Sequence, residues 1–264
     1  MIKTAYVNSF EMDYAVFGHG ERNLVIIPGL SLKSIMLSAK GVAAAYSRFT
    51  DEFTVYLFDV RKDIPDDYTL VQFADNTAAV TENIGISSSD VLGVSMGGMV
   101  SQLLAVRHPA LVSRLVLVST QARKNSRTPD TVTRWNRLAA EGRTSELVPD
   151  MLDNVYSEVL LKNFRNALLK ANADISPEEL RRCTVLTAEI ARFDILAELE
   201  RIKCPVLVIG SENDRVFGPD SSRCIAEAVK GELYIYPSPY GHAVYDEAPD
   251  FLDRVSYFLS QEEI

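Results

Sequence analysis

The chain has 264 residues and lacks the marks of several protein classes. Its longest unbroken apolar run is the five residues 42–46, where a membrane-spanning helix needs about 20. The opening stretch, MIKTAYVNSFEMDY, alternates apolar and polar residues and carries no apolar signal-peptide core. Cysteine is scarce: Cys183, Cys204 and Cys224 are odd in number and show no C-x-x-C spacing. That argues against a disulfide framework or a structural zinc site. No Asn-x-Ser/Thr acceptor occurs, so the expected setting is the reducing cytoplasm. Positive charge is in deficit, 27 basic against 36 acidic residues for a net charge of −9. Such a surface repels phosphate backbones, so nucleic acid is not an expected partner; nor is a membrane. No internal repeat or low-complexity tract interrupts the chain.

What is present is an ordinary globular composition, 47% apolar and 24% charged. Folding at this length buries about three quarters of the unfolded chain's surface, so the core needs no covalent staples. Extended segments are expected at 2–7 and 12–17, followed by short apolar runs at 24–27, 55–58, 91–94, 115–118, 206–209 and 233–236. Short runs without alternation suit strands buried on both faces. Helical spacing recurs at 70–84, 99–106 and 251–259 between or after them. Alternating strands and helices imply a mostly parallel sheet covered on both faces. One connection breaks the rhythm: about 84 residues separate Thr120 from Pro205, where a plain crossover needs roughly a dozen. Its apolar residues fall at helical intervals over 131–140, 146–155, 158–171 and 177–191. This reads as a helical cap over 121–190 on a core of 1–120 and 191–264. Residues 189–202 are expected to return as the sheet's crossover helix.

The most informative segment is Gly93-Val94-Ser95-Met96-Gly97, a G-x-S-x-G pattern with a buried strand before it and a helix after it. A serine at such a turn takes a strained backbone and projects its hydroxyl off the sheet. The glycines leave room for the turn and for close packing of the helix. Met96 N–H opens the new helix, where donors lack partners and favour an anion.

With these residues the chain resembles the α/β-hydrolase family along nearly all its length. The resemblance implies that family's fold: a mostly parallel eight-stranded sheet flanked by helices, with a helical cap inserted after the sixth strand. It also implies a nucleophile, an acid and a histidine in that chain order. Ser95, Asp214 and His242 stand at the matching positions, the last two 28 residues apart. Glu212 is a second carboxylate near the acid position, but only Asp214 matches the family's placement. Of the three histidines, His19 lies in an early turn and His108 at a helix end before Pro109, which leaves His242. The family's oxyanion hole takes backbone N–H groups from Met96 and from Leu30 in Pro28-Gly29-Leu30-Ser31, where Pro28 replaces the usual histidine. Asp59-Val60-Arg61 resembles the family's Asp-x-Arg-Gly turn without its glycines, and a structural role is expected for Asp59 and Arg61.

The cap holds a further signal. Arg123, Lys124, Arg127, Arg134, Arg137 and Arg143 face only Asp130 and Glu141 in that stretch. Attraction of an anionic substrate is one reading, with Arg134 and Trp135 as substrate contacts; a solvated helix face is the other, and the more ordinary one. The resulting expectation is a serine hydrolase of a small carboxylic ester, thioester or lactone. It uses no metal or organic cofactor, and its partner is a small-molecule substrate. Alternatives are carbon–carbon bond hydrolysis of a β-diketone-like acid, a cofactor-independent oxygenase or perhydrolase, and a ligand-binding receptor on a hydrolase scaffold. Nothing in the sequence fixes the oligomeric state.

Overall fold

The apolar runs pair into one eight-stranded sheet in a computed structural model that describes residues 1–7, 9–124 and 130–261. The strands are β1 (Ile2–Val7), β2 (Phe10–Gly18), β3 (Arg22–Ile27), β4 (Phe53–Arg61), β5 (Ser89–Val94), β6 (Val112–Val118), β7 (Val206–Ser211) and β8 (Glu232–Tyr236). Their order across the sheet is β1-β2-β4-β3-β5-β6-β7-β8. β2 pairs antiparallel with β1 and with β4, and every other pairing is parallel. The expected fold class and all eight expected strands are therefore present.

Successive strand residues point to opposite faces, and the two faces carry two cores. Val25, Ile27 and Val91 join one core with residues of α2 (Leu70–Asn83), α3 (Met96–Arg107) and α8 (Pro219–Val229). Leu24, Ile26, Leu92, Val116 and Ile209 join the other with residues of α1 (Ala39–Ala45) and α10 (Phe251–Ser260). β5 and β7 are buried at every residue, which is why their sequences show no alternation. Each fully buried side chain such as Leu92 contributes about 1.5–3 kcal/mol. Thr69 and Gln72 form a reciprocal capping box that fixes the start of α2.

Between β6 and β7 lie α4 (Thr131–Ala140), α5 (Thr144–Val155), α6 (Glu158–Ala171) and α7 (Pro177–Arg192). The insert leaves and re-enters the core at one place. Arg123 and Asp194 form an antiparallel bridge, and Ile195 N–H donates to Ala122 C=O at 2.9 Å. That bridge corrects the expected crossover helix. Asp194 is drawn into extended backbone, so α7 stops at Arg192 and only a 3-10 segment, Leu196–Arg201, follows. α7 is also fastened to the core, since Glu189 accepts a hydrogen bond from Leu70 N–H at the start of α2. No described helix is long and apolar enough to cross a membrane.

The chain runs from β3 outward to β4 and then returns to place β5 on the other side of β3. This reversal is a topological switch point, where open α/β sheets form their crevice beyond the strands' carboxyl ends. The loop after β3 and the turn after β5 meet there.

Candidate active site

Ser95 occupies the single-residue turn between β5 and α3, with φ 54° and ψ −118°. A non-glycine residue held at positive φ costs of order 1–3 kcal/mol and persists only where its surroundings fix it. Here Ser95 N–H donates to Val118 C=O at 2.8 Å, and its C=O accepts from the Thr120 hydroxyl at 2.7 Å. Glycine is required at position 97 for a steric reason: a Cβ there would lie 2.0 Å from the Ile27 carbonyl oxygen. The start of α3 thus presses against the end of β3, and this contact brings the loop after β3 to the serine. At Gly29, in that loop, a Cβ would stand 3.7 Å from Ser95 Oγ.

The three side chains named by the sequence are hydrogen-bonded in series. His242 Nε2 lies 3.0 Å from Ser95 Oγ, and His242 Nδ1 lies 2.9 Å from Asp214 Oδ1. His242 and Asp214 are buried, at 2% and 6% exposure, whereas Ser95 is half-buried. Asp214 follows β7, and its Oδ1 also accepts from the N–H groups of Val216 (2.8 Å) and Phe217 (3.0 Å). Burial opposes ionisation of Asp214, but His242 and these two donors outweigh it and hold the carboxyl below the usual carboxylate range. The Phe217 ring meets the imidazole edge-on at 5.4 Å. Glu212 is turned away to Arg223 at the surface, so of the two carboxylates only Asp214 reaches the imidazole.

His242 sits between β8 and the short α9 (Val244–Glu247), and its loop is docked on the insert. Ala243 N–H donates to Val155 C=O at 2.9 Å, and Ser157 N–H donates to Glu247 Oε1 at 2.8 Å. Met96 N–H is the first of α3 and has no intrahelical acceptor. Leu30 N–H makes no hydrogen bond within the described residues. Met96 follows Ser95 at the start of α3, and Leu30 follows Gly29 in the loop after β3. The arrangement can move a proton from Ser95 to His242 while unpaired N–H groups await a negatively charged oxygen. Among the described residues no three His, Cys, Asp or Glu side chains are grouped as metal ligands would be.

The two residues expected as substrate contacts on the insert both bond Asp150. Arg134 Nε and Nη2 and Trp135 Nε1 all donate to Asp150, at 2.8 to 3.0 Å, and Trp135 is 3% exposed. These bonds tie α4 to α5 through Asp150. Lys124 pairs with Asp130, and Arg143 with Glu141 and Glu146, so much of the basic cluster is neutralised locally. Arg137 and Arg123 are exposed, and Arg127 lies outside the described residues. His19 is exposed, while His108 is tied to Asp75 at 2.8 Å beside Arg107. Asp59 accepts from the Ser34 hydroxyl and the Val60 N–H, and the Arg61 guanidinium lies over the Phe10 ring. The sequence reading overlooked Val216 and Phe217. An Asp accepting from backbone two and three residues on is a local turn habit of that side chain, and could have marked them. Gly241, which precedes the histidine, is tight against the insert, since a Cβ there would lie 3.0 Å from Val155 C=O; that contact crosses from core to insert and leaves no local signal.

Comparison with known proteins agrees with this architecture. Residues 23–249 match the family model described as alpha/beta hydrolase fold. A protein of Caulobacter sp. (strain K31) named as a carbamate hydrolase, RutD, is 29% identical over 224 residues, 80% of this chain and 82% of that protein. The crystal structure of MGS-M2, an alpha/beta hydrolase enzyme from a Medee basin deep-sea metagenome library, superposes with TM-score 0.87 at 22% identity and covers 99% of this chain and 98% of its own. The enol-lactonase of Burkholderia xenovorans LB400 superposes with TM-score 0.83 at 22% identity, over 98% of this chain and 100% of its own. With the family model spanning β4 to β8, the serine turn and the histidine loop, the chain belongs to the alpha/beta hydrolase fold family.

Proposed function

We propose that the chain is a serine hydrolase that cleaves a small carboxylic ester, thioester or lactone through an acyl-enzyme. The observation that carries this reading is the continuous series Asp214–His242–Ser95, with the serine held at a strained turn. Ser95 Oγ attacks the carbonyl carbon as His242 Nε2 takes its proton. Asp214 orients the imidazole and stabilises the imidazolium that forms. The carbonyl oxygen becomes an oxyanion against the N–H groups of Met96 and Leu30; one such donor is worth about 10²–10³ in kcat. Collapse of the tetrahedral species expels the alcohol or thiol, which leaves with the proton from His242. Water, losing a proton to His242, then attacks the acyl carbon, and the acid departs as Ser95 recovers its proton. The names of two relatives, a carbamate hydrolase and an enol-lactonase, denote hydrolysis at a carbonyl carbon and support the same reading.

A fluorophosphonate probe should label Ser95, and the unmutated protein should turn over a short 4-nitrophenyl ester. Ser95→Ala should abolish both without changing the circular dichroism spectrum. Labelling that persists in Ser95→Ala would move the nucleophile elsewhere, and labelling without turnover of any ester would favour a receptor on this scaffold.

A further inference from the structure

The start of a helix leaves backbone N–H groups without partners, and a capping box closes two of them from within the helix itself. α7 is closed in this way: Ser176 caps it, and Glu179, three residues on, accepts from Ser176 N–H at 2.7 Å. Thr69 and Gln72 do the same for α2. α6 is capped by Ser157, whose hydroxyl accepts from Leu160 N–H at 3.2 Å. Here the residue three on is Leu160 itself, whose side chain has no oxygen to return the bond. The acceptor comes instead from the core. Glu247, at the end of α9, accepts from the N–H of the buried Ser157 at 2.8 Å.

α9 is the helix that follows His242, and both its ends meet one junction of the insert. Ala243 N–H, at its start, donates to Val155 C=O at 2.9 Å, and Glu247, at its end, takes the Ser157 N–H. Val155 is the last residue of α5, where carbonyls also lack helical partners. Gly241 lies against the same junction, since a Cβ there would stand 3.0 Å from Val155 C=O and 3.1 Å from Ser157 N. Residues 241, 243 and 247 thus bracket His242, and all three rest on residues 155–157. From the other side the core holds this loop at Tyr240 C=O, which accepts from the Ser211 hydroxyl. The acid is tied to the insert as well: the Thr131 hydroxyl, at the start of α4, donates to Arg215 C=O beside Asp214 at 2.9 Å. An imidazole that must reach both Ser95 and Asp214 tolerates little drift, and a misplacement of about 1 Å can cost about 10²-fold in rate.

We infer that Glu247 is a positioning residue for His242: by completing the cap of α6 from the core, it ties the histidine loop to the insert and holds the imidazole between Ser95 and Asp214. The inference rests on the hydrolase reading above, in which His242 is the base.

Two substitutions separate positioning from helix capping. Glu247→Ala removes the acceptor. Leu160→Glu supplies a glutamate at the place Glu179 holds in α7, so that α6 can close its own cap; Leu160 belongs to neither apolar core. Glu247→Ala should lower kcat on a short 4-nitrophenyl ester roughly tenfold to a hundredfold, with KM within about twofold, and lower Tm by roughly 2–4 °C. Adding Leu160→Glu should restore Tm and leave kcat low, because the cap is then closed without reaching the histidine loop. Glu247→Gln keeps an oxygen that accepts the N–H, and its kcat should stay within about threefold of the unmutated protein. A measurement independent of turnover follows the proton NMR resonance of His242 Nδ1–H, which its bond to Asp214 shifts downfield. The resonance should broaden or vanish in Glu247→Ala and in the double variant, and persist in Glu247→Gln. If kcat recovers together with Tm in the double variant, or stays within about twofold in Glu247→Ala, the inference falls and the hydrolase reading stands. If the unmutated protein cleaves no ester yet the double variant loses the resonance, the hydrolase reading falls and the positioning role stands. Should Glu247→Ala alone fail to fold, the double variant decides on the same criteria.

Discussion

Replacing Asp214 by Asn tests the buried acid with almost no change in shape. The carboxylate and the imidazole nitrogen are 2.9 Å apart, and unit charges at that distance attract by roughly 6 kcal/mol at an effective dielectric of about 20. This attraction exists only once His242 has taken the serine proton, so its loss falls on the transition state and not on the bound ester. A difference of that size is about 10⁴ in rate. The same substitution in a serine protease with these three groups costs about 10⁴ in kcat. An amide oxygen can still accept from Val216 and Phe217, which recovers part of the orientation. The expected loss in kcat is therefore roughly 10³–10⁴, with KM little changed. Glu212→Gln is the matched control. Its ion pair with Arg223 is solvent-exposed, and such a pair is worth about 0.2–1 kcal/mol, so turnover should change by less than about fivefold. Initial rates on one 4-nitrophenyl ester, with circular dichroism to confirm folding, decide the matter. The reasoning is refuted if Asp214→Asn stays within tenfold of the unmutated protein, or if Glu212→Gln is the crippled variant.

Two further outcomes follow from the packing. Gly97→Ala should cost at least about 2 kcal/mol, roughly 5 °C in Tm, because its Cβ would lie 2.0 Å from a backbone oxygen of β3 that cannot rotate away; an unchanged thermal melt would show that α3 has room at this point. Arg134→Ala should lower Tm by about 3 °C, since a partly exposed pair with Asp150 is worth about 1 kcal/mol. It should also change kcat/KM for anionic and neutral esters by the same factor, and a loss confined to the anionic ester would return Arg134 to the substrate.

The sequence announced the strands because each is an apolar run bounded by turn residues, and it announced Ser95 because a serine between glycines after such a run has few other uses. Asp214 and His242 were legible only through the family's chain order, since nothing near either residue says that they meet. Three helices were not legible: the four-residue α9, α8 and α1. α8 lies so close to β7 that a Cβ on Gly210 would stand 2.5 Å from Ser222 Oγ. Its buried face is accordingly built partly from Ser221, Ser222 and Ala226, which give no apolar stripe to read. α1 is a short run of alanines with one glycine, without a periodic signal. The end of α7 was legible to within one residue, but the crossover helix expected over 189–202 was not formed, because the Arg123–Asp194 bridge joins positions far apart in the chain and local propensity does not report such a contact. Glu247 was hidden for a similar reason: only the folded chain sets it against the start of α6.

The bridge between Arg123 and Asp194 also bears on how this protein can change over generations. Because the two stalks of the insert are joined at the core's surface, the sheet experiences the intervening stretch as a closed loop. The entropy of closing a loop grows so slowly that halving or doubling its length alters stability by only about 0.6 kcal/mol. Residues between the stalks can therefore be exchanged with little penalty to the sheet or to the turn that holds Ser95. The exchange must preserve contacts that reach the core, among them the carboxylate that Glu189 gives to the start of α2 and the carbonyl that Val155 gives to the histidine loop. Selectivity can then be remodelled in one part of the gene while the chemistry is inherited intact from another.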